Sequence, residues 1–176
     1  CKTFLVSRKK NKKYIENNIT FLPVNIKKTP DWLKIIKLVD VVVHLSWNNS
    51  IEYAEINSQK SLTESITPIL KMIQASKILK KKIKFIFSST ATLHGLSNKN
   101  IINDEKSPPN PYTNYDINKL TVENLLKKAH NEGLIIAISL RFSNVYGPSK
   151  SKQKSNERGV INTMIKSALE KKNIYL

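Results

Sequence analysis

A chain of 176 residues, 40% of them hydrophobic, can bury a core of its own and is too apolar to be a disordered segment. Its single cysteine, Cys1, excludes an internal disulfide and a cysteine-built metal site, and no apolar run approaches the roughly 20 residues of a membrane span. The formal charge of +17 comes almost wholly from lysine, with arginine only at Arg8, Arg141 and Arg158. It therefore reads as A/T-rich codon bias rather than a nucleic-acid surface, where the guanidinium is the favoured contact.

The first residues lack a signal-peptide pattern, so cytoplasmic residence is the expectation, and the absence of an initiator Met suggests a start within a longer protein. Thr3–Ser7 and Ile19–Leu22 read as short strands. Thr29-Pro-Asp-Trp opens a helix with Pro30 in its first turn. Val39–Leu45 is a β-branched run of the kind buried in a parallel sheet. Residues 50–58 and 62–80 have helical spacing, and Pro68 predicts a kink or a late start in the second stretch. Ile83–Ser88 is another apolar strand, followed by a polar loop from Thr90 to Pro111. A helix is expected from near residue 112 to about Asn131-Glu132-Gly133, with Gly133 as its stop. Leu134–Arg141 reads as a strand, Ser143–Arg158 as a loop, Gly159 to about Lys172 as a helix, and Asn173–Leu176 as the start of a strand. Alternating strands and helices predict an α/β parallel sheet with helices on both faces, and such sheets collect ligands at the carboxyl ends of their strands.

The helix expected after residue 112 puts Tyr115 and Lys119 on one face, four residues apart. An ammonium beside a phenol stabilises the phenolate and lowers a pKa that starts at about 10, which makes a proton-transfer pair. The same spacing is common on helices that do no chemistry. The strand ends supply Asn25 and Ile26, then Ser46 and Trp47, then Ser88, Ser89 and Thr90, then Phe142 and Asn144. His44, His94 and His130 are dispersed without ligand spacing, His44 reads as a core histidine, and no metal is expected. Glu123, four residues after Lys119, could pair with it or stand in a surface ion pair.

In chain order, Val41–Leu45, Phe85–Gly95, Pro111 through Tyr115-x-x-x-Lys119-x-x-x-Glu123, and Leu140–Pro148 resemble the extended short-chain dehydrogenase/reductase family. Within it they are most similar to the NAD-dependent epimerase/dehydratase group and its UDP-glucose/galactose 4-epimerase branch. The resemblance covers essentially the whole chain. It implies a Rossmann-like, doubly wound parallel sheet that is incomplete. The first strand with its glycine-rich phosphate loop, and the C-terminal substrate lobe, are expected to be missing, so residues 1–176 would form a partial NAD(P)-binding domain, inactive by itself.

The resemblance also implies roles. Tyr115 is the acid/base, Lys119 bonds the nicotinamide ribose and lowers the Tyr115 pKa, and Thr90 shares the substrate oxygen with Tyr115. Asn25 and Ile26 take the adenine edge, with Leu45, Ser46 and Trp47 on the adenosine and diphosphate side. Ser88 and Phe142 lie near the nicotinamide, and Asn144 reaches the substrate's diphosphate side. The implied cofactor is NAD, with NADP possible because Ser7-Arg8-Lys9-Lys10 could suit a 2′-phosphate. The implied partner is a nucleotide-sugar substrate, with neither nucleic acid nor membrane, in a homodimer of the intact parent. Ala91-Thr92 follow Thr90 where dehydratases of the group carry Asp-Glu, which argues against 4,6-dehydration and leaves epimerisation, of the 4-epimerase type, as the expected reaction. The alternatives are carbonyl reduction by the same family machinery and a non-catalytic Rossmann-like scaffold.

Overall fold

A computed structural model describes residues 2–8, 19–95, 102–147 and 160–170. Strand β1 (Thr3–Ser7) pairs in parallel with β2 (Ile19–Pro23). Strands β3 (Val41–His44), β4 (Lys84–Thr90) and β5 (Ile136–Phe142) form a second parallel sheet with β4 in its centre. The helices are α1 (Thr29–Leu38), α2 (Ile51–Ile56), α3 (Ser58–Leu79), α4 (Asn114–Asn131) and α5 (Val160–Leu169). Parallel strands joined through helices give the expected α/β sheet. The strand expected at Asn173–Leu176 and the basic run Lys9–Lys13 lie outside the described residues.

Strand register shows how the sequence divides between two faces. Val42, Phe85 and Ala137 lie side by side in one row, and His44 and Phe87 lie side by side two residues on. This face packs against Trp32, Ile35 and Ile36 of α1, Ile69, Met72 and Ala75 of α3, and Val122, Leu126 and Ala129 of α4. Each large side chain buried there contributes about 1.5–3 kcal/mol. On the opposite parity Val41, Val43, Ile138, Leu140 and Phe142 are exposed. The β-branched run at 39–45 is thus apolar on both faces, yet only one face is covered by α1, α3 and α4.

Three boundaries depart from the sequence reading in an informative way. Helix α3 begins at Ser58, before the expected residue 62, and runs through Pro68 without a break. Proline forfeits one backbone hydrogen bond there, and burial of Pro68 beside Ile69 and Met72 offsets the loss. Strand β4 extends to Thr90, which therefore ends a strand rather than opening a loop, and a 3₁₀ turn follows at Ala91–His94. Helix α4 starts at Asn114 because Thr113 caps it. The Thr113 hydroxyl accepts from Asp116 N–H, and the Asp116 carboxylate accepts from Thr113 N–H, a reciprocal capping box. Its end is as expected: Gly133 takes a positive φ of 72° and its N–H donates to the His130 carbonyl.

Candidate active site

The first two turns of α4 lie against the carboxyl end of β4 and the 3₁₀ turn that follows it, with one tie to each. Lys119 is buried, 2% exposed, and its Nζ donates to the Ser88 carbonyl at 2.5 Å. One turn earlier, Asp116 Oδ1 accepts from the Thr92 hydroxyl, also at 2.5 Å. A third tie holds the helix to α3, where Asn118 Nδ2 donates to Ser61 Oγ at 3.0 Å. Thr90 is buried at the strand end, 2.8 Å from Thr92 through their hydroxyl oxygens, and neighbours Phe142 of β5 in register. Ser88 Oγ donates to the His44 carbonyl at 3.0 Å and so locks β4 to β3 at the same end.

Lys119 sits among aromatic rings. Its Nζ lies 4.0 Å from the Trp47 ring centroid, 4.8 Å from that of Phe87 and 5.6 Å from that of Tyr115. Such rings stabilise an ammonium by about 2 kcal/mol in a desolvated site. Burial works the other way and brings the Lys119 pKa down to about 7, with the Glu123 carboxylate opposing it. Tyr115 departs from expectation. Its pKa is raised, first by burial and then by the Asp116 charge, rather than lowered by Lys119. The reason is directional: the ammonium is aimed at the Ser88 carbonyl and the Trp47 face. His44 is a core histidine as expected, stacked on Phe85, and burial followed by the Lys119 charge brings its pKa down to about 4.

A second group of the expected residues lines an open gap of about 740 Å³ that runs along the length of β1 and β3, the facing strands of the two separate sheets. Asn25, Ile26, Leu45, Ser46 and Trp47 are in its wall, with Arg8 and Lys27 as cations and Trp32 and Ile35 as floor. Asn25 is fixed by its turn: its N–H donates to Asp31 Oδ2 at 2.8 Å, and its Oδ1 accepts from Lys27 N–H at 3.1 Å. Trp47 connects the two groups. It lines the cavity and packs edge-on against Tyr115, with ring centroids 6.3 Å apart. Tyr115, Lys119, Thr90, Ser88 and Phe142 are outside the cavity wall, and Asn144 stands exposed after β5.

Glu123 does not pair with Lys119. Its carboxylate takes Arg141 Nε at 3.2 and 3.3 Å and Arg141 Nη2 at 2.8 Å. The pair is largely shielded, and His94 Nε2 lies 3.4 Å from the same guanidinium. The i, i+4 spacing suggested the lysine, but the register of α4 on β5 supplies a planar guanidinium that binds both carboxylate oxygens. Sequence reasoning also passed over Asp116, Thr92 and Thr113. The signal for two of them is present in Thr113-x-x-Asp116, a capping-box spacing just before a helical run. Among the described residues no group of three or more His, Cys, Asp or Glu side chains could hold a metal ion.

Comparison with known proteins places this geometry. The model of the NAD dependent epimerase/dehydratase family matches residues 2–176. A UDP-glucose 4-epimerase of Mycoplasma pneumoniae is 28% identical over 144 residues, covering 78% of this chain and 42% of that protein. The crystal structure of a UDP-glucose 4-epimerase from Thermotoga maritima with UDP-glucose superposes with a TM-score of 0.82 at 24% identity, over 99% of this chain and 57% of the other. A UDP-glucuronic acid 4-epimerase from Bacillus cereus, in complex with UDP-glucuronic acid and NAD, gives 0.72 at 28% identity, over 90% of this chain and 48% of the other. This chain therefore spans about half the length of the relatives it matches. With the parallel α/β sheet and a family match over nearly every residue, the chain belongs to the NAD-dependent epimerase/dehydratase family.

Proposed function

We propose that residues 1–176 are part of the cofactor-binding domain of a nucleotide-sugar 4-epimerase. The observation that carries this reading is the fastening of α4 to β4 through Lys119–Ser88 and to the 3₁₀ turn after it through Asp116–Thr92, which sets Tyr115 and Lys119 beside the strand that ends in Thr90. The relatives named above are 4-epimerases of UDP-sugars, which favours a UDP-sugar substrate.

The residues suit NAD. Ile26 and Leu45 offer apolar walls for an adenine, Arg8 offers charge to phosphates while Lys27 is already paired with Glu64 in the same wall, and Ser46 offers a hydroxyl. Lys119, Ser88 and Phe142 are positioned for the nicotinamide end. When bound, NAD supplies a hydride acceptor that returns the hydride in the second half of the reaction. The chain supplies the proton chemistry. A carbinol carbon loses hydride only as its oxygen loses a proton, and Tyr115 Oη takes that proton and gives it back. With Tyr115 raised by burial and by Asp116, the Lys119 ammonium must turn toward the phenolate for Tyr115 to act as the base near neutral pH. Trp47, now over that ammonium, is the side chain that must yield.

The test is Tyr115→Phe in the whole protein. Removing the phenol should lower 4-epimerase turnover by roughly 10²–10⁴, the range of a general acid/base, with an unchanged melting temperature. Turnover within a factor of two of the parent removes Tyr115 from this role. One observation favours a second reading, a non-catalytic scaffold: Trp47 covers Lys119. Failure of the whole protein to bind NAD by calorimetry would select that reading.

A further inference from the structure

Arg8 stands directly after β1, in the same wall of the gap as Asn25 and Ile26. The pairing of β1 with β2 reaches this corner. Ser7 lies opposite Pro23 in register, and the Ser7 carbonyl accepts from Val24 N–H at 3.3 Å. Arg8 and the Asn25-Ile26 pair therefore leave neighbouring strands at the same end. The Asn25 turn is itself fixed, since its N–H donates to Asp31 Oδ2 at 2.8 Å. Backbone bonds thus set where Arg8 emerges relative to the two residues proposed for the adenine edge.

Charge around the gap is unbalanced at this corner. Among the described residues its wall holds one carboxylate, Glu64, and two cations, Arg8 and Lys27. Glu64 is engaged by Lys27 Nζ at 3.2 Å and by the Tyr53 hydroxyl at 3.0 Å. His44, also in the wall, has a pKa of about 4 and is neutral at pH 7. The ion pairs among the described residues do not include Arg8. By contrast, the Arg141 guanidinium is held by Glu123. The net charge of the wall is therefore that of one guanidinium, placed beside the proposed adenine edge.

In dinucleotide-binding sheets, a side chain just beyond a strand end reads the adenosine ribose. A carboxylate there accepts from the 2′-hydroxyl and repels a 2′-phosphate, whereas an arginine accommodates the phosphate. A phosphate ester carries roughly −1.5 to −2 charge near neutral pH. The planar fork of a guanidinium can bind two of its oxygens at once. Residues 3–8, Thr-Phe-Leu-Val-Ser-Arg, include no carboxylate to oppose this. We infer that Arg8 is the ligand of a phosphate ester on the adenosine ribose, so that the site takes the 2′-phosphorylated dinucleotide NADP at least as tightly as NAD. The inference rests on the reading of this chain as part of a cofactor-binding domain. It does not depend on which sugar is turned over.

Titration calorimetry of the whole protein with NAD and with NADP tests this without any turnover. The expected Kd for NADP is equal to that for NAD or below it. Arg8→Gln, with an unchanged circular dichroism spectrum, should weaken NADP at least about tenfold more than NAD, the worth of a charge-assisted hydrogen bond. Arg8→Asp should go further and make NAD the tighter ligand, because its carboxylate suits the free hydroxyl and repels the phosphate. In the parent, the affinity for NADP relative to NAD should fall as NaCl rises from about 0.05 to about 0.5 M, since an exposed guanidinium is screened. Tighter binding of NAD in the parent overturns the inference and leaves the cofactor-domain reading intact. So does an Arg8→Gln protein that loses affinity for both dinucleotides alike, the result for a cation on the pyrophosphate they share. If neither dinucleotide binds, the cofactor-domain reading fails and the inference falls with it. An Arg8-dependent preference in a protein that epimerises no sugar removes the 4-epimerase reading and leaves the inference standing.

Discussion

The β4–α4 junction and the cavity between β1 and β3 hold the two halves of the candidate site, and they are built in opposite ways. At the junction many polar groups have an internal partner, Lys119 on Ser88, Thr92 on Asp116, Thr113 on Asp116, Asn118 on Ser61 and Asn114 on Glu55, while Ser89 Oγ and His94 Nδ1 are buried without one. Around the gap, Leu45 and Val43 face outward with more than half of their surface exposed, and about 740 Å³ stays open along the length of β1 and β3. The proposed acid/base pair is therefore held by this chain's own bonds, whereas the residues proposed for the cofactor line an open gap. Proton transfer tolerates little misplacement, so a firmly held helix suits the role proposed for Tyr115.

The largest effect that separates the two regions is in packing. Leu126→Ala, beneath α4 where exposure is nil, should cost about 2–5 kcal/mol in urea unfolding. Leu45→Ala, in the cavity wall, should stay within about 0.5 kcal/mol. Equal losses would erase the contrast.

Charge gives the next effect. The pKa of Lys119 is about 7 in the folded chain against an ordinary 10.5, so between those values the unfolded chain binds the extra proton. Stability should rise with pH from about 7 to 10.5, by a few kcal/mol, and this slope should vanish in Lys119→Met. A slope unchanged by the substitution would place the titration elsewhere. Smaller still is the cap. Thr113→Ala removes one partner of the capping box and should cost about 1 kcal/mol in thermal unfolding. A value near zero would show that the junction is held by its other ties, those of Lys119, Asp116 with Thr92, Asn118 and Asn114.

Much of this was legible in the sequence because it depends on local pattern. The strand runs at 41–45 and 83–88 announce a parallel sheet, Gly133 ends α4 where a positive φ is needed, and the i, i+4 spacing puts Tyr115 and Lys119 on one face. What was not legible depends on groups distant in sequence. Glu123 meets Arg141 across 18 residues and Thr92 meets Asp116 across 24, and no spacing rule reaches so far. The raised Tyr115 pKa is of the same kind. Proximity to a lysine was readable, but burial and the aim of the ammonium at Ser88 were not. Pro68 shows the converse, a strong local signal overruled by packing, since α3 passes through it intact.

The central claim is that the α4–β4 junction serves reversible hydride chemistry at a sugar carbinol. The most direct test is to run the whole protein with NAD and UDP-glucose in D₂O and follow C4 of the sugar by NMR. The account predicts interconversion of the C4 epimers with the original hydrogen retained on carbon, because hydride leaves and returns while only the oxygen's proton exchanges. Deuterium at C4 would indicate proton abstraction from carbon, and either that result or the absence of a C4 epimer would contradict it.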